Sequence, residues 1–139
     1  MDARTRHCVL SLAGGGGLLV ALFALSAPAT ASQQADSLPP GVTRAMVERG
    51  RKLFQGEGLC IACHGMEAKG GLGPDLTDDA WLHHDGSYAA LVRQILQGID
   101  QQASKTGQIM PPRGGSSLNE KDIQAVAAYV WTLSRPARR

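Results

Sequence analysis

Residues 60–64 read Cys60-Ile61-Ala62-Cys63-His64. Two thiols three positions apart followed at once by an imidazole form the C-x-x-C-H pattern of covalent haem attachment. Each thiol can add to one of two adjacent haem vinyl groups, and the next residue places a nitrogen ligand under the iron. A C-x-x-C pair also serves as a redox disulfide or as half of a zinc site. The zinc alternative needs Cys60, Cys63, His64 and one of His83 or His84, but lacks the usual spacing of a second ligand pair. A thioredoxin-like role needs a βαβ pattern around the pair, and none is visible.

Around the motif the chain reads as helices and glycine-rich loops. Thr43 is a predicted N-cap for a helix running to about Gln55, with Met46, Val47, Leu53 and Phe54 apolar and Gly50 in its interior. An interior glycine costs a helix about 1 kcal/mol against alanine, so a close approach of other backbone is expected there. Gly56 and Gly58 stop this helix just before the cysteines. Residues 65–77 hold Gly65, Gly70, Gly71, Gly73 and Pro74 and must be loop. A short helix is predicted over residues 78–83. Ser87 caps the next, with Leu91, Val92, Ile95 and Leu96 apolar and Gly98 at its end. Asn119 caps the last, where Ile123, Val126, Ala127, Val130 and Leu133 repeat at helical spacing and Asp122 sits at N3. No strand-length alternation and no internal repeat is present, so the fold class is all-α, with four to five helices.

The chain has 139 residues and six aromatic ones, two each of Phe, Trp and Tyr. A small domain with so thin a core is marginal alone, and an internal cofactor supplies the missing apolar mass. The formal net charge is +2, without a basic run, which argues against nucleic acid as a partner.

Arg4, Arg6 and His7 precede an uncharged stretch over residues 8–35, within which residues 18–25 are apolar and Ala29-Thr30-Ala31 fits a small-x-small cleavage site. Residues 1–31 are therefore expected to be a cleaved signal peptide, residues 32–41 a flexible lead-in, and residues 42–139 the working domain. Cleavage removes Cys8 and leaves Cys60 and Cys63 as the remaining thiols. The predicted location is the periplasm. The alternative is an uncleaved anchor holding the domain on the periplasmic face of the membrane, for which residues 14–17, all glycine, and Pro28 make a poor spanning helix.

A second axial iron ligand must come from elsewhere in the chain. Met46, Met66, Met110, His83, His84 and the lysines are the candidates. Met66 is two residues past His64 and cannot reach round the ring. Met46 occupies a core-like helix position. Met110 precedes Pro111, which biases it to extended backbone in a long loop, and it is the preferred ligand. His/Met ligation predicts a relatively high potential. The bland reading of Met110 is a loop side chain filling a gap. His83 and His84 read as solvated loop residues.

These residues resemble the class I cytochromes c, single-haem electron carriers. The resemblance rests on Gly50 and Phe54, Cys60-x-x-Cys63-His64-Gly65, Gly73-Pro74-Asp75-Leu76, Met110-Pro111, and a final helix with Val126 and Tyr129. It implies a cytochrome c fold in which the first and last helices cross at Gly50, packed against Phe54, Val126 and Tyr129. It also implies one covalent haem c, and a Pro74 carbonyl bonded to the His64 imidazole N–H, a contact that orients the ring and tunes the iron. The stretch over residues 75–88, with Trp81, His83 and His84, is similar to cytochrome c domains of bacterial haem-copper oxidases.

Trp81 and Arg113 are candidates for hydrogen bonds to the haem propionates, against plain readings as a packed indole and a solvated guanidinium. The expected function is one-electron transfer between redox proteins through transient docking, by a monomer that is not an enzyme. The alternatives are a dedicated subunit of a membrane or periplasmic oxidoreductase complex, and a haem catalyst or gas binder with an open sixth position.

Overall fold

The computed structural model describes residues 37–135. Among these lie four α-helices, α1 (Arg44–Gln55), α2 (Ile61–His64), α3 (Tyr88–Gln97) and α4 (Glu120–Leu133), with a 3-10 turn at Pro112–Gly115. The one β feature described is an isolated bridge between Ile99 and Met110. The fold is all-α. The expected signal segment, residues 1–31, lies outside the described residues.

Local chemistry sets the helix starts. Thr43 Oγ1 accepts from the Met46 N–H at 3.2 Å, Ser87 Oγ from Ala90 at 3.3 Å and Asn119 Oδ1 from Asp122 at 3.1 Å. Each satisfies an N–H that the first helical turn leaves unpaired. The short helix expected over residues 78–83 does not form. Inside this stretch Asp78 accepts the Ala80 N–H at 3.1 Å, and Asp75 and Asp85 make the same side-chain turn on either side of it, accepting from Thr77 at 2.7 Å and Ser87 at 2.9 Å, so local turns take the place of a helix.

The core is built where α1 crosses α4. A side chain on Gly50 would run into the backbone carbonyl of Ala125, and its β-carbon would lie 3.0 Å from Tyr129 Cβ. The nearest approach across the crossing is thus to the Ala125 backbone, with Tyr129 next to it. Ala125, Ala127 and Ala128 are all buried, keeping α4 narrow enough for that approach. Phe54, Ile123 and Val126 fill the space beside the crossing, and Phe54 meets Tyr129 edge to face with ring centroids 5.5 Å apart.

Asp122 does more than complete a cap. Its Oδ2 accepts from Asn119 Nδ2 at 2.8 Å, and its Oδ1 accepts from Arg49 Nε at 2.8 Å and Nη2 at 2.5 Å. One buried carboxylate therefore ties the start of α4 to the middle of α1, with both oxygens satisfied.

Candidate functional site

Glycines 56 and 58 turn the chain out of α1: the Gly58 N–H donates to Leu53 O at 2.8 Å and the Leu59 N–H to Gly56 O at 3.0 Å. The next turn is α2, capped by Cys60 and ending at His64. Within one helical turn, Cys60, Cys63 and His64 stand at i, i+3 and i+4 and share a face. All three line one cavity of about 320 Å³, together with Pro74, Trp81, Met110 and Arg113. Its apolar wall comes from Phe54 of α1, Leu91 and Ile95 of α3, and Ile123, Val126 and Val130 of α4.

Cys60 and Cys63 are both free thiols. Cys60 Sγ donates to Gly58 O at 3.3 Å, and burial pushes its pKa up to about 11, so it stays a neutral thiol. Among the described residues no group of three or more His, Cys, Asp or Glu side chains is placed to hold a metal ion. Zinc needs thiolates and a converging ligand set, whereas addition to a vinyl group needs a thiol beside an apolar cavity.

His64 Nδ1 lies 3.0 Å from Pro74 O. A carbonyl only accepts, so Nδ1 carries the hydrogen and Nε2 keeps its lone pair as a metal ligand. Gly73 lies against the ring so closely that a β-carbon there would sit 2.7 Å from Cε1 and 2.9 Å from Nδ1. The loop that presents Gly73 and Pro74 is pinned to α2 by Gly70 N–H to His64 O and Gly73 N–H to Cys63 O, each at 2.9 Å. Beyond Pro74, Asp75 Oδ1 accepts from the N–H and the hydroxyl of Thr77, both at 2.7 Å, and these bonds hold the Asp75 carboxyl below its ordinary pKa.

Met110 reaches the cavity from a segment 46 residues beyond His64 in the numbering. Its N–H donates to Ile99 O at 2.9 Å and its carbonyl accepts from the Ile99 N–H at 2.7 Å. Gly98 makes this pairing sterically possible: with φ +72° it ends α3, and a β-carbon there would collide with the Met110 carbonyl. Of the other candidate ligands, His83 and His84 also line the cavity; Met46 and Met66 do not, and Met66 is 61% exposed. Arg113 is half-buried at the cavity, with Nη1 donating to Leu118 O at 2.7 Å. Trp81 stacks on His84, ring centroids 4.9 Å apart. His84 is half-buried rather than solvated, and its Nδ1 accepts from the Gly86 N–H at 2.9 Å. The sequence signal for this bond is the same acceptor-then-N–H spacing seen at Asp75, Asp78 and Asp85.

Neutral thiol, oriented imidazole, thioether and apolar wall together fit a covalently attached haem. Residues 45–130 match the family model described as cytochrome c oxidase, cbb3-type, subunit III. The cbb3-type cytochrome c oxidase subunit CcoP of Rubrivivax gelatinosus is 36% identical over 86 residues, covering 61% of this chain and 25% of that protein. Subunit FixPc of Rhizobium leguminosarum bv. viciae is 40% identical over 78 residues, covering 54% of this chain and 26% of that protein. The chain thus spans about a quarter of the length of these curated relatives. Among solved structures, the c-type cytochrome XoxG from Methylobacterium extorquens AM1 has a TM-score of 0.50 at 21% identity, covering 66% of this chain and 52% of that one.

Proposed function

Since the chain belongs to the cbb3-type subunit III family of cytochrome c domains, we propose that it is an exported one-electron carrier whose haem is attached at Cys60 and Cys63 and ligated by His64 and Met110. The domain carries covalently bound haem c and serves electron transfer. The observation that carries the ligand assignment is the meeting of Cys60, Cys63, His64 and Met110 on one cavity from two separate segments.

When bound, the haem supplies a one-electron couple. The rest is the work of side chains. Pro74 O holds the His64 ring through Nδ1, so Nε2 stays aimed as a ligand whichever charge the site carries. The bridge to Ile99 fixes the Met110 backbone, and its thioether favours the reduced metal. Phe54, Leu91 and Ile123 exclude water from the cavity and keep its dielectric low. Trp81 and the remaining guanidinium N–H groups of Arg113 serve the propionates. Ligands fixed in both states leave little to rearrange, which is what fast electron transfer requires.

The signal-like segment over residues 1–31 supports export to the periplasm, with residues 42–139 as the working domain. Among the described residues no helix is long and apolar enough to cross a membrane. Transient docking of a monomer onto redox proteins is the preferred mode. The relatives named as oxidase subunits favour a second reading, a dedicated subunit of a membrane oxidase complex. Salt-resistant co-purification with an oxidase would select that reading, and salt-sensitive binding the carrier.

The test is the optical spectrum of the exported protein before and after denaturing extraction. Haem that resists extraction, with a ferric band of sulfur-to-iron charge transfer, is the expected result. Extractable haem or an open high-spin iron would overturn the assignment.

A further inference from the structure

Trp81 forms part of the cavity wall and is held by two elements. His84 stacks on its indole with an interplanar angle of 28°. Gly86, buried and at φ +72°, lies so close on the indole that a side chain there would strike Nε1. Both polar atoms of Gly86 are engaged: its N–H donates to His84 Nδ1 at 2.9 Å and its carbonyl accepts from Arg135 Nη2 at 3.2 Å. Arg135 stands just past the end of α4, its guanidinium 4.6 Å from the Trp131 ring centroid.

We infer that His84 is a proton-sensing positioning residue: neutral, it closes a latch running from Arg135 through Gly86 to Trp81, and protonated, it opens that latch and raises the reduction potential of the haem. The inference rests on the placement of haem in this cavity proposed above.

The tautomer follows from the bond. Because Nδ1 accepts, it carries no hydrogen, and the neutral ring is protonated at Nε2. A second proton must go to Nδ1, where it faces the Gly86 N–H donor to donor. The bond is then lost, and Gly86 is released from one of its two anchors. The charged and titratable groups around His84 are Asp85 and His83 on its own loop, Arg93 from α3 and Arg135 from beyond α4. Burial, with His83 and Arg93, outweighs Asp85 and holds the ring below its ordinary pKa of 6.5.

The coupling to electron transfer is electrostatic and reciprocal. The oxidised centre carries one more positive charge than the reduced one, so a proton on His84 at the cavity wall favours the reduced state. By linkage, the reduced protein holds that proton more tightly. An electron supplied by the redox partner is then accompanied by partial uptake of one solvent proton at His84 Nδ1, returned on oxidation.

The test uses the full holoprotein and two variants. In His84→Asn the amide oxygen still accepts the N–H two residues on but does not titrate; in His84→Phe the stack remains without the bond. Reduction potential is measured against pH by spectroelectrochemistry, and protection of the Gly86 amide from hydrogen exchange is measured over the same range. As pH is lowered below 6.5 the wild-type potential should rise and Gly86 protection fall, with the protection midpoint higher in the reduced protein than in the oxidised one. His84→Asn should lose that step and keep protection at low pH, while His84→Phe should lose the step and show low protection throughout. A step that survives in His84→Asn, or Gly86 protection indifferent to pH in the wild type, would overturn the latch. Absence of a reversible His/Met haem couple in the wild type would instead defeat the carrier reading, with Gly86 protection still reporting on the latch.

Discussion

The Pro74 carbonyl oxygen stands 3.0 Å from His64 Nδ1, while the Gly73 backbone packs on the same imidazole ring. One bond sets the tautomer and one contact sets the plane, so two consecutive residues define how the ligand is presented. The loop carrying them is anchored by Gly73 N–H to Cys63 O, which makes the ligand and its orienting group parts of one short hydrogen-bonded unit.

Gly73→Ala should disturb this unit selectively. A β-carbon 2.7 Å from His64 Cε1 forces the ring or the loop to shift. Overpacking of this kind costs roughly 1–3 kcal/mol. The expected outcome is a lowered denaturant midpoint together with a perturbed iron spin state in the holoprotein.

Gly50→Ala should destabilise despite a helix-propensity gain of about 1 kcal/mol. The obstacle is the backbone carbonyl of Ala125, which cannot swing aside as a side chain can. Overpacking at the upper end of its range, about 3 kcal/mol, offset by that propensity gain leaves a net loss of about 2 kcal/mol, read from chemical unfolding.

Asp122→Ala should cost about 1–3 kcal/mol, the range for losing charge-assisted hydrogen bonds from a buried acceptor. Arg49→Ala should cost at least as much, because it leaves a buried carboxylate without its charge partner. On Asp122→Ala the Arg49 side chain, 62% exposed, returns readily to water, whereas on Arg49→Ala the Asp122 side chain, only 10% exposed, keeps only the bond from Asn119 Nδ2. Paired urea titrations of the two variants measure the asymmetry.

The stability of the domain should fall on acidification through His84. Its pKa is lowered in the folded protein, mainly by burial, so below pH 6.5 the unfolded chain binds the proton more readily. Stability therefore decreases as pH falls from 6.5 to the folded-state pKa and is indifferent to this group below it. The difference in unfolding midpoint between wild type and His84→Asn, followed across that window, isolates the contribution.

Features that depend on near neighbours are legible in the sequence. Thr43, Ser87 and Asn119 cap the helices expected of them, because a cap is decided within three residues. The glycine-rich loop after His64 and the stop at Gly98 are equally local. The helix expected over residues 78–83 gives way for a local reason as well: Asp78 closes a side-chain turn inside it, and Asp75 and Asp85 close the same turn on either side. What periodicity does not reach are relations across the fold. Arg49 and Asp122 are 73 residues apart, and nothing in either helix pattern pairs them. Gly50 announces a close approach without saying that Ala125 is the partner. His84 reads as solvent-facing loop, and what its local spacing to Gly86 leaves out is the cavity it lines and the hold of Arg135, 49 residues on, upon Gly86.

The measurement that bears most directly on the proposed function is carbon monoxide binding to ferrous wild type and Met110→Ala. With His64 and Met110 as the two axial ligands, the wild type should resist the gas and the variant should bind it readily, because removing the thioether opens the sixth position. Equal binding by both proteins would contradict the assignment of Met110 and with it the carrier function.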